Sequence, residues 1–76
     1  MNPIKLRQMK DRRRAIEDEI TRLEVEIADY ELALSSFVSA EDAKLNSELL
    51  AARKADLETL MNEWEEVAQA IEANRS

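Results

Sequence analysis

The sequence predicts an all-α protein, an antiparallel two-helix coiled-coil hairpin. Three observations predict it: apolar residues alternate three and four apart, helix-forming residues dominate, and helix breakers are nearly absent. The chain has 76 residues with no Gly and one Pro. We expect a single domain over residues 1–76, too short and too poor in aromatic side chains for a thick core.

The first helix is predicted over residues 3–36. Asn2 suits the N-cap position and Pro3 the first turn, where its missing N–H costs nothing. The seam of this helix, meaning the line of side chains expected to face the second helix, has one charged intrusion, Arg13. The seam residues are Leu6, Met9, Arg13, Ile16, Ile20, Leu23, Ile27, Tyr30, Leu34 and Phe37.

The turn is predicted over residues 37–39 and the second helix over residues 40–73. Ser39 followed by Asp42 resembles a capping box, with Asp where Glu or Gln is usual. The hydroxyl of Ser39 would satisfy an N–H of the first helical turn. The second seam comprises Ala43, Asn46, Leu50, Arg53, Leu57, Leu60, Trp64, Val67 and Ile71.

A turn this short makes the two helices antiparallel, so that the seams face each other. The sequence leaves the register open between two alternatives or a value between them. In one alternative Leu23 faces Leu50, and in the other Ile20 faces Leu60. A lone two-helix hairpin is expected to be only moderately stable, because burial and ordering nearly offset each other.

The composition excludes most catalytic classes. The chain has no His and no Cys, which removes imidazole bases, thiol nucleophiles and the usual zinc ligands. Adjacent carboxylates such as Glu17 and Asp18 point about 100° apart on a helix, which does not suit acid–base chemistry or Mg²⁺. We expect no enzyme activity, no metal and no cofactor in this chain. No apolar run approaches the roughly 20 residues of a membrane span, so no membrane partner is expected.

The charge is distributed unevenly along the chain. The net charge is −6, but residues 1–14 carry +5 and the remainder −11. Cations at a helix start oppose the helix dipole, which indicates either a phosphate-binding face or neutralisation by carboxylates of the second helix. The net negative charge argues against a generic nucleic-acid binder. The candidate nucleic-acid-binding residues are Lys5, Arg7, Lys10, Arg12, Arg13 and Arg14.

The two seam arginines have simpler interpretations. Arg13 is expected to specify the register or to stack on Trp64, with its head group reaching solvent, and its alternative role is in the basic surface. Arg53 is expected to extend to solvent and pair with a nearby Glu.

Apolar residues outside the seams concentrate towards the turn. They predict either a wider local core or a surface for protein docking or homodimer formation. The candidate protein-interaction residues are Val25, Leu32, Phe37, Val38, Leu45 and Leu49.

Three segments together resemble the C-terminal coiled-coil domain of bacterial ABC-F ATPases, the Uup-like proteins. They are Asn-Pro-Ile-Lys-Leu at residues 2–6, Phe-Val-Ser-Ala-Glu at 37–41 and Leu-Met-Asn-Glu-Trp-Glu-Glu at 60–66. The resemblance covers essentially the whole chain. It implies an accessory module of a cytoplasmic protein with two tandem ATP-binding domains, whose ATPase motifs lie outside this chain.

The resemblance also implies the partners. Uup-like hairpins are associated with nucleic acid, here DNA or ribosomal RNA, and that role maps only onto the six basic residues named above. Contact with the ATPase domains of the parent chain is the other implied partner. The alternative from another class is a structural interaction module that dimerises or docks through the apolar residues near the turn.

Overall fold

The computed structural model describes residues 2–36 and 38–75 and contains two helices, α1 (Pro3–Ser35) and α2 (Ala40–Ala73). The helices pack against each other along their length and form a rod of 56 × 14 × 13 Å. No strand occurs in the described residues. The predicted all-α helical hairpin is confirmed.

Helix α1 begins where the sequence predicts. The side-chain oxygen of Asn2 accepts a hydrogen bond from the backbone N–H of Ile4 at 2.8 Å, and Pro3 is the first helical residue. The helix ends one residue before the predicted end, because Ser36 adopts an extended conformation with φ −91° and ψ 164°. Phe37, predicted both as a seam and as a turn residue, lies outside the described residues.

Helix α2 has the predicted bounds, because the side chains that cap its two ends bond to backbone groups close by in the sequence. The hydroxyl oxygen of Ser39 accepts a hydrogen bond from the backbone N–H of Asp42 at 3.1 Å, as the capping-box pattern requires. At the other end, the side-chain amide of Asn74 donates to the carbonyl oxygen of Ala70 at 2.7 Å. Both ends of α2 therefore have side chains that satisfy otherwise unpaired backbone groups.

The core is a narrow line between the two helices. Only Ile16, Ile27 and Ile71 are buried among the described residues, and every other described seam residue is half-buried. Two helices cover a seam from two directions only, so the sides of most seam residues remain in contact with water. The seams predicted from the sequence are therefore confirmed, and the core is as thin as the chain length predicts.

Shallow grooves along the two sides of the hairpin show which seam residues are neighbours. Leu23 and Leu60 line one groove, and Ile20 and Trp64 line another. Leu60 is ten residues beyond Leu50, which is about 15 Å along a helix. Leu60, rather than Leu50, is therefore the neighbour of Leu23, so the alternative that pairs Leu23 with Leu50 is wrong. The grooves lie nearer to the register in which Ile20 faces Leu60.

Candidate nucleic-acid interface and apolar tip

The basic end is the set of six cationic residues in the first turns of α1: Lys5, Arg7, Lys10, Arg12, Arg13 and Arg14. Because α1 is continuous through this segment, their Cα atoms span only about 14 Å along its axis. All of them are exposed except Arg13, which is half-buried on the seam. The fold thus concentrates the positive charge of the molecule at one end of a rod.

Two members of the basic end have acidic partners. Arg12 Nη2 lies 2.7 Å from Glu63 Oε2 on α2, and Arg14 Nε lies 3.6 Å from Asp18 Oδ1 one turn further along α1. All four side chains are about half exposed or more, so each pair stabilises the fold by less than about 1 kcal/mol. Among the described residues, the other four cations of the basic end have no carboxylate within 4 Å.

The carboxylates near the end of α2 were expected as competitors for these cations, and only Glu63 acts as one. Glu72 pairs instead with Arg75, at 3.2 Å. Glu65 and Glu66 are exposed and form no ion pair with a described residue. Neutralisation of the basic end by α2 is therefore limited to one interhelical ion pair among the described residues.

The exposed cations point in two directions. Arg12 turns towards α2, where it meets Glu63. Arg7, Lys10 and Arg14 are spaced three and four apart and follow one another along a different, exposed face of α1. All three side chains of this row are exposed, and none of them forms an ion pair with α2 among the described residues.

The two seam arginines differ from each other. Arg53 pairs with Asp56 through Nη2 at 3.0 Å, so its partner is a carboxylate as expected but belongs to Asp rather than Glu. Its Nε is buried and has no hydrogen-bond partner among the described residues, and the same holds for Nε1 of Trp64. Arg13 is half-buried, as expected for a seam position.

A hydrogen bond that the sequence analysis missed joins Tyr30 to Glu26. The Tyr30 hydroxyl donates to Glu26 Oε1 at 3.0 Å, and this bond raises the pKa of the hydroxyl above its ordinary 10.0. Burial and the negative charge of Glu26 raise the pKa further, and the positive charge of Arg53 opposes them. The spacing of four residues between Glu26 and Tyr30 was the available signal.

The apolar tip comprises the candidate protein-interaction residues near the turn. Val25, Leu32 and Leu45 are 59%, 67% and 55% exposed, whereas Val38 and Leu49 are half-buried. Phe37 belongs to the predicted set and lies outside the described residues. Half of the predicted set is thus in open contact with water.

The residues of the tip do not form one surface. Leu32 lines a groove with Leu57 on one side of the hairpin. Leu49 is fourteen residues, or two heptads, before Glu63, which places it on the opposite side together with the Arg12–Glu63 pair. A partner that covers Leu32 therefore leaves Leu49 untouched.

Comparison of the chain with protein-family models, curated proteins and solved structures found no match. Neither described helix contains a stretch apolar enough to cross a bilayer. Within the same residues, no three potential ligands gather into a group that would hold a metal ion. The fold defines the class of the protein as a two-helix coiled-coil hairpin. Cationic side chains cluster at its open end, and exposed apolar side chains lie towards the turn.

Proposed function

We propose that this hairpin contacts nucleic-acid phosphates through its basic end, as an accessory coiled-coil module of a cytoplasmic ABC-F ATPase. The observation that carries the proposal is the lack of neutralisation. Four of the six cations have no carboxylate within 4 Å among the described residues, although the chain contains 17 acidic residues. Three of these four, Lys5, Arg7 and Lys10, are exposed. Such cations release counterions from a phosphate backbone, and that release provides the free energy of binding.

The row of Arg7, Lys10 and Arg14 matches the spacing of a phosphate backbone. It spans about 10 Å along α1. At about 3.4 Å of axial rise per phosphate on one strand, this length covers about three phosphates. Arg side chains add bidentate hydrogen bonds to phosphate oxygens. No aromatic side chain lies among residues 2–14, so base stacking is not part of the proposed contact.

The rest of the molecule restricts how a nucleic acid approaches. Residues beyond 14 carry a net charge of −11, which repels a phosphate backbone along most of the rod. Contact is therefore proposed at the end of the hairpin, without wrapping along its length. The proposed ligand is DNA or ribosomal RNA, bound without sequence readout.

The assignment to an ABC-F protein rests on the resemblance of residues 2–6, 37–41 and 60–66. Under this proposal the chain itself has no ATPase activity and needs no cofactor, since nucleotide chemistry belongs to the parent domains. Those domains are a second proposed partner. The hairpin then serves as a charged arm that the ATPase domains present to nucleic acid.

The experiment is fluorescence anisotropy with labelled duplex DNA, single-stranded DNA and structured RNA at two salt concentrations. The variant Arg7→Glu/Lys10→Glu/Arg14→Glu is expected to bind more weakly and to lose about 2.7 from the slope of log affinity against log salt on duplex DNA. The matched control is R22E/K44E/K54E, which makes the same charge change at exposed positions outside the basic end. The proposal fails if the first variant retains the wild-type affinity and salt slope.

A second candidate function, protein docking through the apolar tip, is favoured by the exposure of Leu32 and Leu45. Exposed apolar side chains that lie close together often mark a protein interface. Sedimentation over a range of concentrations compares the wild type with L45S. Self-association that disappears in this variant would assign it to the tip, and a strictly monomeric wild type would exclude self-association there.

A further inference from the structure

The α1 ridge is a row of eight residues that begins with Arg7, Lys10 and Arg14 and continues along the same face of α1 towards the turn. Its members follow one another at intervals of three and four, and all are exposed: Arg7, Lys10, Arg14, Glu17, Thr21, Glu24, Ala28 and Glu31. The first three are cationic, and three of the last five are anionic. The ridge thus carries one sign of charge at each end.

Within the described chain, the charged residues of the ridge form almost no ion pairs. Arg14 pairs weakly with Asp18, at 3.6 Å. None of the other charged ridge residues forms an ion pair with a described residue. The ridge therefore presents separated, unpaired charges of both signs along most of the length of α1.

The pattern of the ridge is self-complementary. Arg7 and Glu31 lie at equal distances from residue 19, and so do Arg14 and Glu24. Residue 19 is also the midpoint of α1 (Pro3–Ser35). Two copies of α1 laid antiparallel with full overlap therefore place each arginine opposite a glutamate. A two-fold axis between the two copies, perpendicular to the helices and level with residue 19, generates this arrangement.

Exposed apolar side chains border the ridge. Ile4 and Leu32 are 68% and 67% exposed and lie in one line on its outer flank. In the antiparallel arrangement, Ile4 of one copy lies close to Leu32 of the other. Towards α2, Ala28 lines one groove and Met61, which is 50% exposed, lines another.

The molecule exposes enough surface to form such a contact. The chain exposes 5815 Å² for a mass of 8.7 kDa, whereas a compact monomer of that mass exposes about 4,700 Å². A specific interface buries about 800 Å² on each partner. The excess exposed area is thus comparable with the area that one interface covers.

We infer that a second copy of this chain packs on the α1 ridge, antiparallel and related by a two-fold axis, to give a four-helix assembly. Arg7 of each copy pairs with Glu31 of the other, and Arg14 pairs with Glu24. Near the axis, Glu17 faces Thr21 rather than another carboxylate. Asp18 of one copy lies beside Asp18 of the other. Arg14 offsets this negative charge and still pairs with Glu24, because a guanidinium has donors for two partners.

This inference does not rest on the proposed function, but the two share Arg7 and Arg14. A dimer that pairs these residues with glutamate withholds them from phosphate, so the two uses exclude each other. Self-association through the ridge also differs from association through the apolar tip, because the tip residue Leu45 lies outside the ridge contact.

The test uses charge reversal and sedimentation velocity at low salt. The variants R7E/R14E and E24K/E31K each place like charges opposite one another, and each is expected to weaken the dimer by about tenfold or more. An equimolar mixture of the two is expected to form a heterodimer, since one ridge is then acidic and the other basic. The combined variant R7E/R14E/E24K/E31K is expected to dimerise like the wild type.

The matched control is E48K/E66K, which makes the same charge change as E24K/E31K at exposed positions on α2. It is expected to keep the wild-type dimer. Circular dichroism verifies that each variant is helical, and all substituted side chains are exposed in the hairpin. A wild type that remains monomeric up to about 1 mM overturns the inference, since a specific dimer associates below that concentration.

Two other results also overturn it: separate charge-reversal variants that dimerise like the wild type, or a mixture that does not associate. Failure of the proposed function is distinguishable from these results. The variant E24K/E31K keeps the basic end and loses the dimer, so it still binds nucleic acid if the proposed function is correct. Absence of nucleic-acid binding in every variant would reject the proposed function and leave the dimer result intact.

Discussion

At the scale of single residues, Ile16 is the one side chain with no exposed surface among those described. Its replacement, Ile16→Ala, is expected to lower the free energy of unfolding by about 2–5 kcal/mol, because lost burial and a residual cavity act together. Urea unfolding followed by circular dichroism measures the change. Ile4→Ala is the control, since Ile4 is 68% exposed, and an equal loss in both variants would contradict the structure.

The hydroxyl of Ser39 caps the N-terminus of α2. Ser39→Ala removes the acceptor for the Asp42 N–H and is expected to cost about 1 kcal/mol of unfolding free energy. Thermal and urea unfolding measure this loss. Ser47→Ala is the matched control, an exposed serine within α2 that is expected to change the stability by only a few tenths of a kcal/mol. A variant at Ser39 that is as stable as this control would show that the cap is not formed.

Tyr30 gives a prediction about pH, because it is the only tyrosine of the chain. Its absorbance titration is expected to have a midpoint above 10.0, since Glu26 raises the pKa of the hydroxyl. Glu26→Ala removes both the hydrogen bond and the negative charge, so the midpoint should fall back towards 10.0. Identical midpoints in the two proteins would refute the contact.

The upward shift of the Tyr30 pKa determines how the stability of the protein changes with pH. The pKa of Tyr30 is raised in the folded state, so the stabilising contribution is present below the unfolded value of 10.0 and is lost as pH rises through the folded value. Unfolding free energies measured on either side of pH 10 are expected to fall more in the wild type than in Tyr30→Phe.

At the scale of the helices, the Arg12–Glu63 pair links α1 to α2 and also withholds one cation from a partner. Glu63→Gln is expected to leave the unfolding free energy within about 1 kcal/mol, because both side chains are about half exposed. The same change releases Arg12, so the salt slope for duplex DNA is expected to steepen by about 0.9. Anisotropy titrations at two salt concentrations measure the slope. Glu58→Gln is the control, an exposed carboxylate of α2 without an ion pair to a described residue.

The helices themselves were predictable because their limits depend on near neighbours. Asn2 and Ser39 cap through bonds to residues two and three positions away, which a sequence pattern records directly. The register was not predictable, since repeats on both seams allow a shift of one heptad with similar apolar matching. The groove that Leu23 and Leu60 share excludes the Leu23–Leu50 pairing, and this groove exists only in three dimensions.

The candidate sites show the same division. The positions of the basic residues follow from helical spacing, and their exposure was predictable from it. Which carboxylate reaches them was not, because Glu63, Glu65 and Glu66 are equally plausible partners in the sequence. Only the side of α2 that faces α1 selects Glu63. The split of the apolar tip into two sides escaped detection because Leu32 and Leu49 belong to different helices.

At the scale of the whole molecule, the Cα radius of gyration is 17.1 Å. A compact chain of this length has about 11 Å. Small-angle X-ray scattering of the dilute monomer is expected to give a value near 17 Å with the profile of a rod. A side-by-side antiparallel dimer keeps the rod length and raises this value only slightly. Association through the turn ends would nearly double the length, so a large increase with concentration would contradict packing on the α1 ridge.

The length of the rod has a mechanical consequence. With 56 Å between its extremes, the hairpin is a narrow rod that enters spaces too small for a globular domain of equal mass. A body held at the basic end and another held at the turn are kept apart by a fixed spacing. A tilt of about 10° at one anchored end displaces the other by about 10 Å, because α1 and α2 run without a break and transmit the rotation as one lever.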